Sequence, residues 1–511
     1  MSHSELAAQV GSNEGGGSKL TPKRKLSLFD TIGSTLAQMA PAAAIYYGLP
    51  VIFMATGIGS PLTILISAIA IIFVGLSLTR FSTKHPSSGS LIKYIGMTFG
   101  PLTGTASAIV FLVGTVFLAG SAFLELGGWI ADSLSLYNIH VHWAVPTLIL
   151  GLVIWGLTII GIDRSTKIAT IALVIEVVVL AGVSIYVLID PPAGLSLEPF
   201  AASSVTGGLA GIGLGFPLAI YLFIGFENSA ALAEESDNPK RNTKRAVLIS
   251  IALMTAFYLL VSYAVVTGFG NDNSALVKSS NPFIDVANQY LGRFSFLAII
   301  AGFTSIVGMT IACLNGFSRV AFNSARDGVI PAKLSFISKY QTPAATLSLL
   351  SGLGIAAALL FGFSGETWVT GFGYLGTIGT IPLLIIYALL NLAVIFYPNK
   401  ELTLVQRYVL PILGVISIGL PIWALVQPGQ PKPFSYFPWI IFGVVAASLI
   451  YAWFKLKSDP SIKQRIGAVA TEASELAESA DYHSNNATAL NRQPLQPRRL
   501  KKDDSLYKIS P

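Results

Sequence analysis

Glu125, Glu176 and Glu227 each sit inside a stretch that is otherwise apolar or small. A carboxyl in hydrocarbon is costly and persists where it faces a proton path, a cation or a water-filled cavity. Glu227 has the most telling context, within Ala219–Arg245. There an apolar helix loosens at Gly225, between Tyr221, Phe223, Ile224 and Phe226, and ends in the basic cluster Lys240, Arg241, Lys244 and Arg245. Glycine tolerates unwinding, and unwinding frees backbone groups for a ligand or an ion. Glu176 lies about ten residues from the inner end of its segment, roughly 15 Å deep at the helical rise. It could carry a proton or bind a cation directly. Glu125 falls near the outer end of its segment and is expected at the interface. The adjacent hydroxyls of Thr304 and Ser305 could ligate sodium, or could bond back onto preceding carbonyls of their own helix.

These residues need a membrane scaffold. The chain has 511 residues, is 53% hydrophobic and only 11% charged, and has a mean hydropathy of +0.68. Soluble domains carry about 25% charged residues. An all-α polytopic membrane protein is therefore expected. A spanning helix needs about 20 mostly apolar residues. Twelve stretches qualify: 29–56, 60–80, 101–127, 143–162, 166–189, 208–235, 245–268, 294–322, 343–362, 369–397, 403–426 and 436–456. They are numbered helices 1 to 12 below. Residues 28–456 form the transmembrane domain. Residues 1–27 are expected to be a flexible tail, not a cleaved signal. Residues 457–511 are expected to be a mostly disordered tail, with a short helix possible at 467–481. A short amphipathic element is expected at 281–291. Basic residues mark the inner face. With the N-terminus inside, only Lys278, Arg293 and Lys432 fall outside, so both termini are placed in the cytoplasm of a cell (plasma or inner) membrane.

Two of these helices carry interruptions. Pro41 lies mid-way along helix 1, in Ala37-Gln38-Met39-Ala40-Pro41. It lacks an N–H and clashes with the carbonyl of Ala37, which is expected to be released. The amides beyond it would form a helix N-terminus suited to a carboxylate. The helix 6 break is at Gly225. Each break falls in the first helix of a block of five, helices 1–5 and 6–10. Corresponding discontinuities in two halves point to a transporter binding site between them.

Three motifs then resemble one family. Gly225-Phe226-Glu227, Ala233-Glu234-Glu235 and Asn238-Pro239-Lys240-Arg241 resemble the sixth-helix signature of amino acid–polyamine–organocation permeases. Pro86-Ser87-Ser88-Gly89-Ser90 before Gly100-Pro101 resembles their loop after helix 2. The run from Arg319 to Gly328, with Pro331 and Thr342-Pro343, resembles their segment after helix 8. The resemblance implies five-plus-five inverted repeats with two extra helices, and secondary transport of amino acids or related amines by alternating access. It implies substrate contacts at Tyr221 and Ile224 and a proton-coupling role for Glu227. The family's helix 1 break is glycine-rich, whereas this chain has Gln38-Met39-Ala40-Pro41. In some relatives a lysine stands where Glu176 is.

The expected activity is that of a proton-coupled permease for a zwitterionic amino acid or small organic amine. The alternatives are a sodium-coupled symporter, an exchanger of the same fold, and a non-transporting nutrient sensor. An enzyme is not expected: no histidine lies in an apolar stretch, and Cys313 is the one cysteine. No metal centre, cofactor or nucleic-acid partner is implied. The partners expected are substrate, H+ (alternatively Na+) and membrane lipid.

Overall fold

The computed structural model describes residues 25–135, 138–279, 281–362, 367–397, 402–427 and 432–467. Most of both expected tails, and the helix expected at 467–481 beyond its first residue, lie outside these. Among the described residues the architecture is all-α; the strand-like pairing present is a single backbone bridge between Leu26 and Ser236.

Among the described residues, nine segments are long and apolar enough to cross a membrane. One of them, Leu28–Lys84, contains two helices separated by the turn at Gly57–Gly59. Ala144–Ile159 is a shorter apolar helix, and helix 6 is broken, which keeps either half below spanning length. Each of the twelve expected stretches contains helix among the described residues, the sixth as separate pieces.

Several boundaries differ from expectation for identifiable reasons. Helix 3 runs Pro101–Ser135, well beyond 127, because its polar end Asp132–Ser135 still continues the helical ladder. Helix 7 starts at Pro239 rather than 245. The Asn238 side chain accepts from the Arg241 amide, and proline suits a first helical turn. The basic cluster thus belongs to the first turns of helix 7. The short element appears as Pro282–Leu291, capped by Asn281, and buries Phe283, Val286 and Ala287 against the core.

Helix 3 packs along helices 10 (Trp368–Phe396) and 9 (Ala344–Gly362), helix 8 (Phe296–Arg326) along helix 5 (Ile162–Ile189), and helix 7 along helix 2 (Ser60–Lys84). The periphery, with Trp423, Trp439, Ile416 and Phe454, exposes apolar side chains that suit lipid. Beyond helix 12 (Phe437–Ser458) the chain forms Ser461–Gly467. This short helix buries Ile462 and Ile466, the latter against Gly96 and Gly104.

Candidate functional site

Helix 1 begins at Leu28 with a capping box: Ser27 accepts from the Asp30 amide, and Asp30 accepts from that of Ser27. It stops at Gln38. Ala40 adopts a left-handed conformation, φ 48°, and Pro41 opens the second half. The Ala37 carbonyl is not left open as expected, because a tight turn through Gln38 and Met39 (φ −72°, ψ −10°) brings the Ala40 amide onto it at 3.1 Å. The new helix N-terminus does form. Its amides are already occupied: Ala42 donates to Glu176 Oε2 at 2.8 Å, and Ala43 donates to Ser305 Oγ at 3.1 Å.

Helix 6 ends its first half at Tyr221 and resumes at Asn228. Between them the chain turns on itself. Phe223, Ile224 and Phe226 amides bond three residues back, and the Gly225 amide donates to Glu227 Oε2 at 3.1 Å. Gly225 has φ 110°, a conformation that side chains resist. A methyl group there would lie 2.9 Å from Gln38 Cγ and 3.1 Å from the Gln38 carbonyl carbon. The glycine therefore lets the two breaks touch.

Two further residues tie the breaks together. The Tyr258 hydroxyl of helix 7 is within hydrogen-bond distance of the Leu222 carbonyl at 2.8 Å and the Met39 carbonyl at 3.0 Å. Asn228 Nδ2 donates to the Ser34 carbonyl and hydroxyl. Around them Phe223 packs edge-on against Tyr258, and Phe226 against Tyr387. Sequence reading missed Tyr258 because a tyrosine in an apolar helix resembles any other core aromatic.

Thus Ala37, Gln38, Met39, Ala40, Pro41, Phe223, Gly225, Phe226, Glu227, Glu176 and Ser305 gather, all buried, at or against the paired breaks. Tyr221 and Ile224 are half-buried. Thr304 stands apart, its hydroxyl donating to the Ala301 carbonyl of its own helix. Glu125 departs from the interfacial expectation: it is 1% exposed, near Tyr47 and Tyr221. Helix 3 continues beyond it, which puts it inside the bundle. Its spacing with Ser121 and Trp129, one helical face, was the available signal.

Below the breaks, two ion pairs join helix 8 to the end of helix 6. Arg319 pairs with Glu235, both fully buried. Arg326 pairs with Glu234 at 2.8 Å, and Glu234 also accepts from the Ser88 amide. Arg319 is a buried base, but its charge is already matched.

The profile of the amino acid permease family matches residues 26–452. A branched-chain amino acid permease of Bacillus subtilis is 24% identical over 454 residues, covering 83% of this chain and 92% of the relative. A methylthioribose transporter of the same organism is 23% identical, covering 79% and 87%. An uncharacterized transporter of Mycobacterium tuberculosis is 24% identical, covering 79% and 86%. A multi-pass bundle with two broken helices in contact, matched over nearly all its length, is a membrane transporter and not an enzyme: the chain belongs to the amino acid permease family.

Proposed function

We propose that this chain is a proton-coupled symporter of a cell (plasma or inner) membrane, with both termini cytoplasmic, which carries a zwitterionic amino acid or a small organic amine. The relative named for branched-chain amino acids favours the amino acid. The observation that carries the reading is Glu176 on the Ala42 amide. A protein carboxylate holds the place that suits a substrate carboxylate at the helix 1 N-terminus. A substrate carboxylate engaging Ala42 and Ala43 displaces Glu176, and Glu176 takes a proton as it loses that donor. Cargo and proton are then coupled by competition for the same amides.

Glu227 is the second coupling group. Its Oε2 holds the Gly225 amide, so a change in its charge bears directly on the helix 6 break. The substrate ammonium would meet carbonyls near Ile224, with Tyr221, Phe223 and Phe226 shaping the side-chain pocket. Glu235 matches the buried Arg319, so a strongly anionic cargo lacks a counter-charge.

The test is uptake into proteoliposomes under an inward pH gradient. Glu227→Gln and Glu176→Gln should each abolish acceleration by the gradient while leaving exchange between preloaded and external substrate. Undiminished, pH-driven uptake by both variants rejects the coupling roles. Replacing sodium by choline should leave pH-driven uptake intact. A competition screen with common amino acids and polyamines identifies the cargo.

A further inference from the structure

A small cavity beside the two breaks is bordered by Gln38, Glu227 and Asn228, and on one side by Ser90 and Leu91. Those two residues begin Ser90–Phe99, a short helix between helices 2 and 3. The chain enters it at Ser90 with φ 45° and leaves it at Gly100 with φ 86°, both left-handed. A methyl group added at Gly100 would meet nothing within 4 Å, so the exit turn stands in open space. Two pivots thus bound one rigid rod. Its position is costly. The hydroxyls of Ser90 and Tyr94 are buried and have no hydrogen-bond partner among the described residues. Water would satisfy both if the rod swung outward, so the rod must be held. Tyr94 stacks on Phe81 of helix 2. Gly96 is covered by Ser461–Gly467, at the end of the described chain. A helix that short does not persist alone, so its seat keeps it helical. Ile466 Cγ2 lies 2.8 Å from the place of a Cβ on Gly96 and 2.7 Å from that of one on Gly104. The two glycines form the notch that admits it. Ile462 reaches the turn after helix 8, 3.3 Å from a methyl added at Gly328. Lys93 Nζ donates to the Arg465 carbonyl. The Arg465 guanidinium turns back to Ser461 Oγ and Asp459, and its Nε is buried without a partner. The attachment therefore consists of two isoleucines and one lysine bond.

We infer that Ser90–Phe99 is a gate beside the paired breaks and that Ser461–Gly467 is the latch that holds it shut. While Ile466 fills the notch, the gate cannot turn about Ser90 and Gly100. When Ile466 leaves, the latch loses its seat and unwinds, and the gate is free. The Ser90 and Tyr94 hydroxyls then gain water, and the cavity opens toward the end of the bundle that carries both ends of the described chain. That end is fixed by two contacts. Leu26 bridges to Ser236 there, and Glu234 accepts from the Ser88 amide just before the gate. Under the proposed topology this is the cytoplasmic end, so the C-terminal segment sets how readily cargo passes between the breaks and the cytoplasm. So few contacts, with a guanidinium nitrogen left unmatched, suit a latch that opens and closes rather than a permanent brace.

The test is the rate at which a bulky maleimide alkylates Leu91→Cys in the purified full chain, in detergent micelles and with Cys313→Ser removing the native thiol. Leu91 is 2% exposed, so labelling should be slow while the latch is seated. Ile466→Asp places a charge in the notch and should speed labelling by about tenfold or more, because the open form becomes more populated. Ile466→Val keeps an apolar filler and should stay within about twofold of the parent. Lys93→Met removes the lysine bond and should speed labelling by about threefold. Val265→Cys, buried in helix 7, is the control and should stay slow with or without Ile466→Asp. An unchanged rate in Ile466→Asp with an intact size-exclusion profile overturns the latch. Fast labelling of Leu91→Cys with Ile466 in place overturns the gate. Equal acceleration at Leu91→Cys and Val265→Cys is general loosening and overturns both. If Ile466→Asp does not fold, Lys93→Met decides in its place by the same outcomes. No cargo and no pH gradient enter the measurement, so its failure leaves the coupling reading standing, and failure of that reading leaves the latch standing.

Discussion

The two breaks solve the same problem in opposite ways. At helix 6 the loosened backbone satisfies itself, through turns three residues long and through Glu227, which belongs to the break. At helix 1 the exposed amides of Ala42 and Ala43 are satisfied from outside, by Glu176 of helix 5 and Ser305 of helix 8. A self-satisfied break keeps its shape when its neighbours move. A break satisfied by neighbours changes partners when they move, or when a ligand offers a better oxygen. In the proposed cycle helix 1 is therefore the half that responds to cargo, and helix 6 the half that carries the charge-sensitive hinge. Tyr258 reaches one carbonyl of each and keeps them in register.

The strongest test of this contrast is Gly225→Ala. It combines a positive φ with a close approach to Gln38, and should cost about 3 kcal/mol. Thermal unfolding reads the loss, and uptake should fall with it. An unchanged midpoint would mean that the breaks need not touch. Next is Glu176→Leu, which strands the Ala42 amide and should cost about 2 kcal/mol, whereas Glu176→Gln keeps an acceptor oxygen and most of the stability. If Leu and Gln behave alike in unfolding, helix 1 does not depend on its neighbours as described. Tyr258→Phe leaves two carbonyls without their shared hydroxyl and should cost about 1 kcal/mol. Its signature is a double-mutant cycle with Gly225→Ala that shows coupling, since both changes act on the same contact between helices. The smallest effect has the opposite sign. Ala40→Gly relieves a left-handed alanine and should leave stability unchanged or raise it by up to about 1 kcal/mol. Equal losses from Ala40→Gly and Gly225→Ala would erase the distinction between the two breaks.

Much of the architecture was legible in the chain. Pro41 and Gly225 are residues whose covalent structure forbids or relaxes a regular helix, and both breaks fall within a residue or two of them. The apolar runs were long enough to mark twelve helices. The ends were harder: Asn238 and Pro239 pull helix 7 back over a basic cluster that charge alone assigns to a loop. Depth was harder still. Glu125 was assigned to the interface because its apolar run stops soon after it, yet helix 3 continues to Ser135 and turns that carboxyl inward. Thr304 and Ser305 are neighbours in sequence, but one helical step of about 100° sends the first to its own helix and the second to the Ala43 amide.

By itself, the sequence determined that the chain lives in a membrane, roughly which stretches form its helices, and where two of those helices fail. These follow from local chemistry: apolar length, a missing N–H, a missing Cβ. Only the tertiary structure decided that Glu176 and Ser305 serve the helix 1 amides, that Tyr258 joins the two breaks, and that Gln38, Ser90, Glu227 and Asn228 share a single cavity. Those partners are far apart along the chain, and a hydrogen bond made across such a separation is set by how helices pack, which no short stretch of residues encodes.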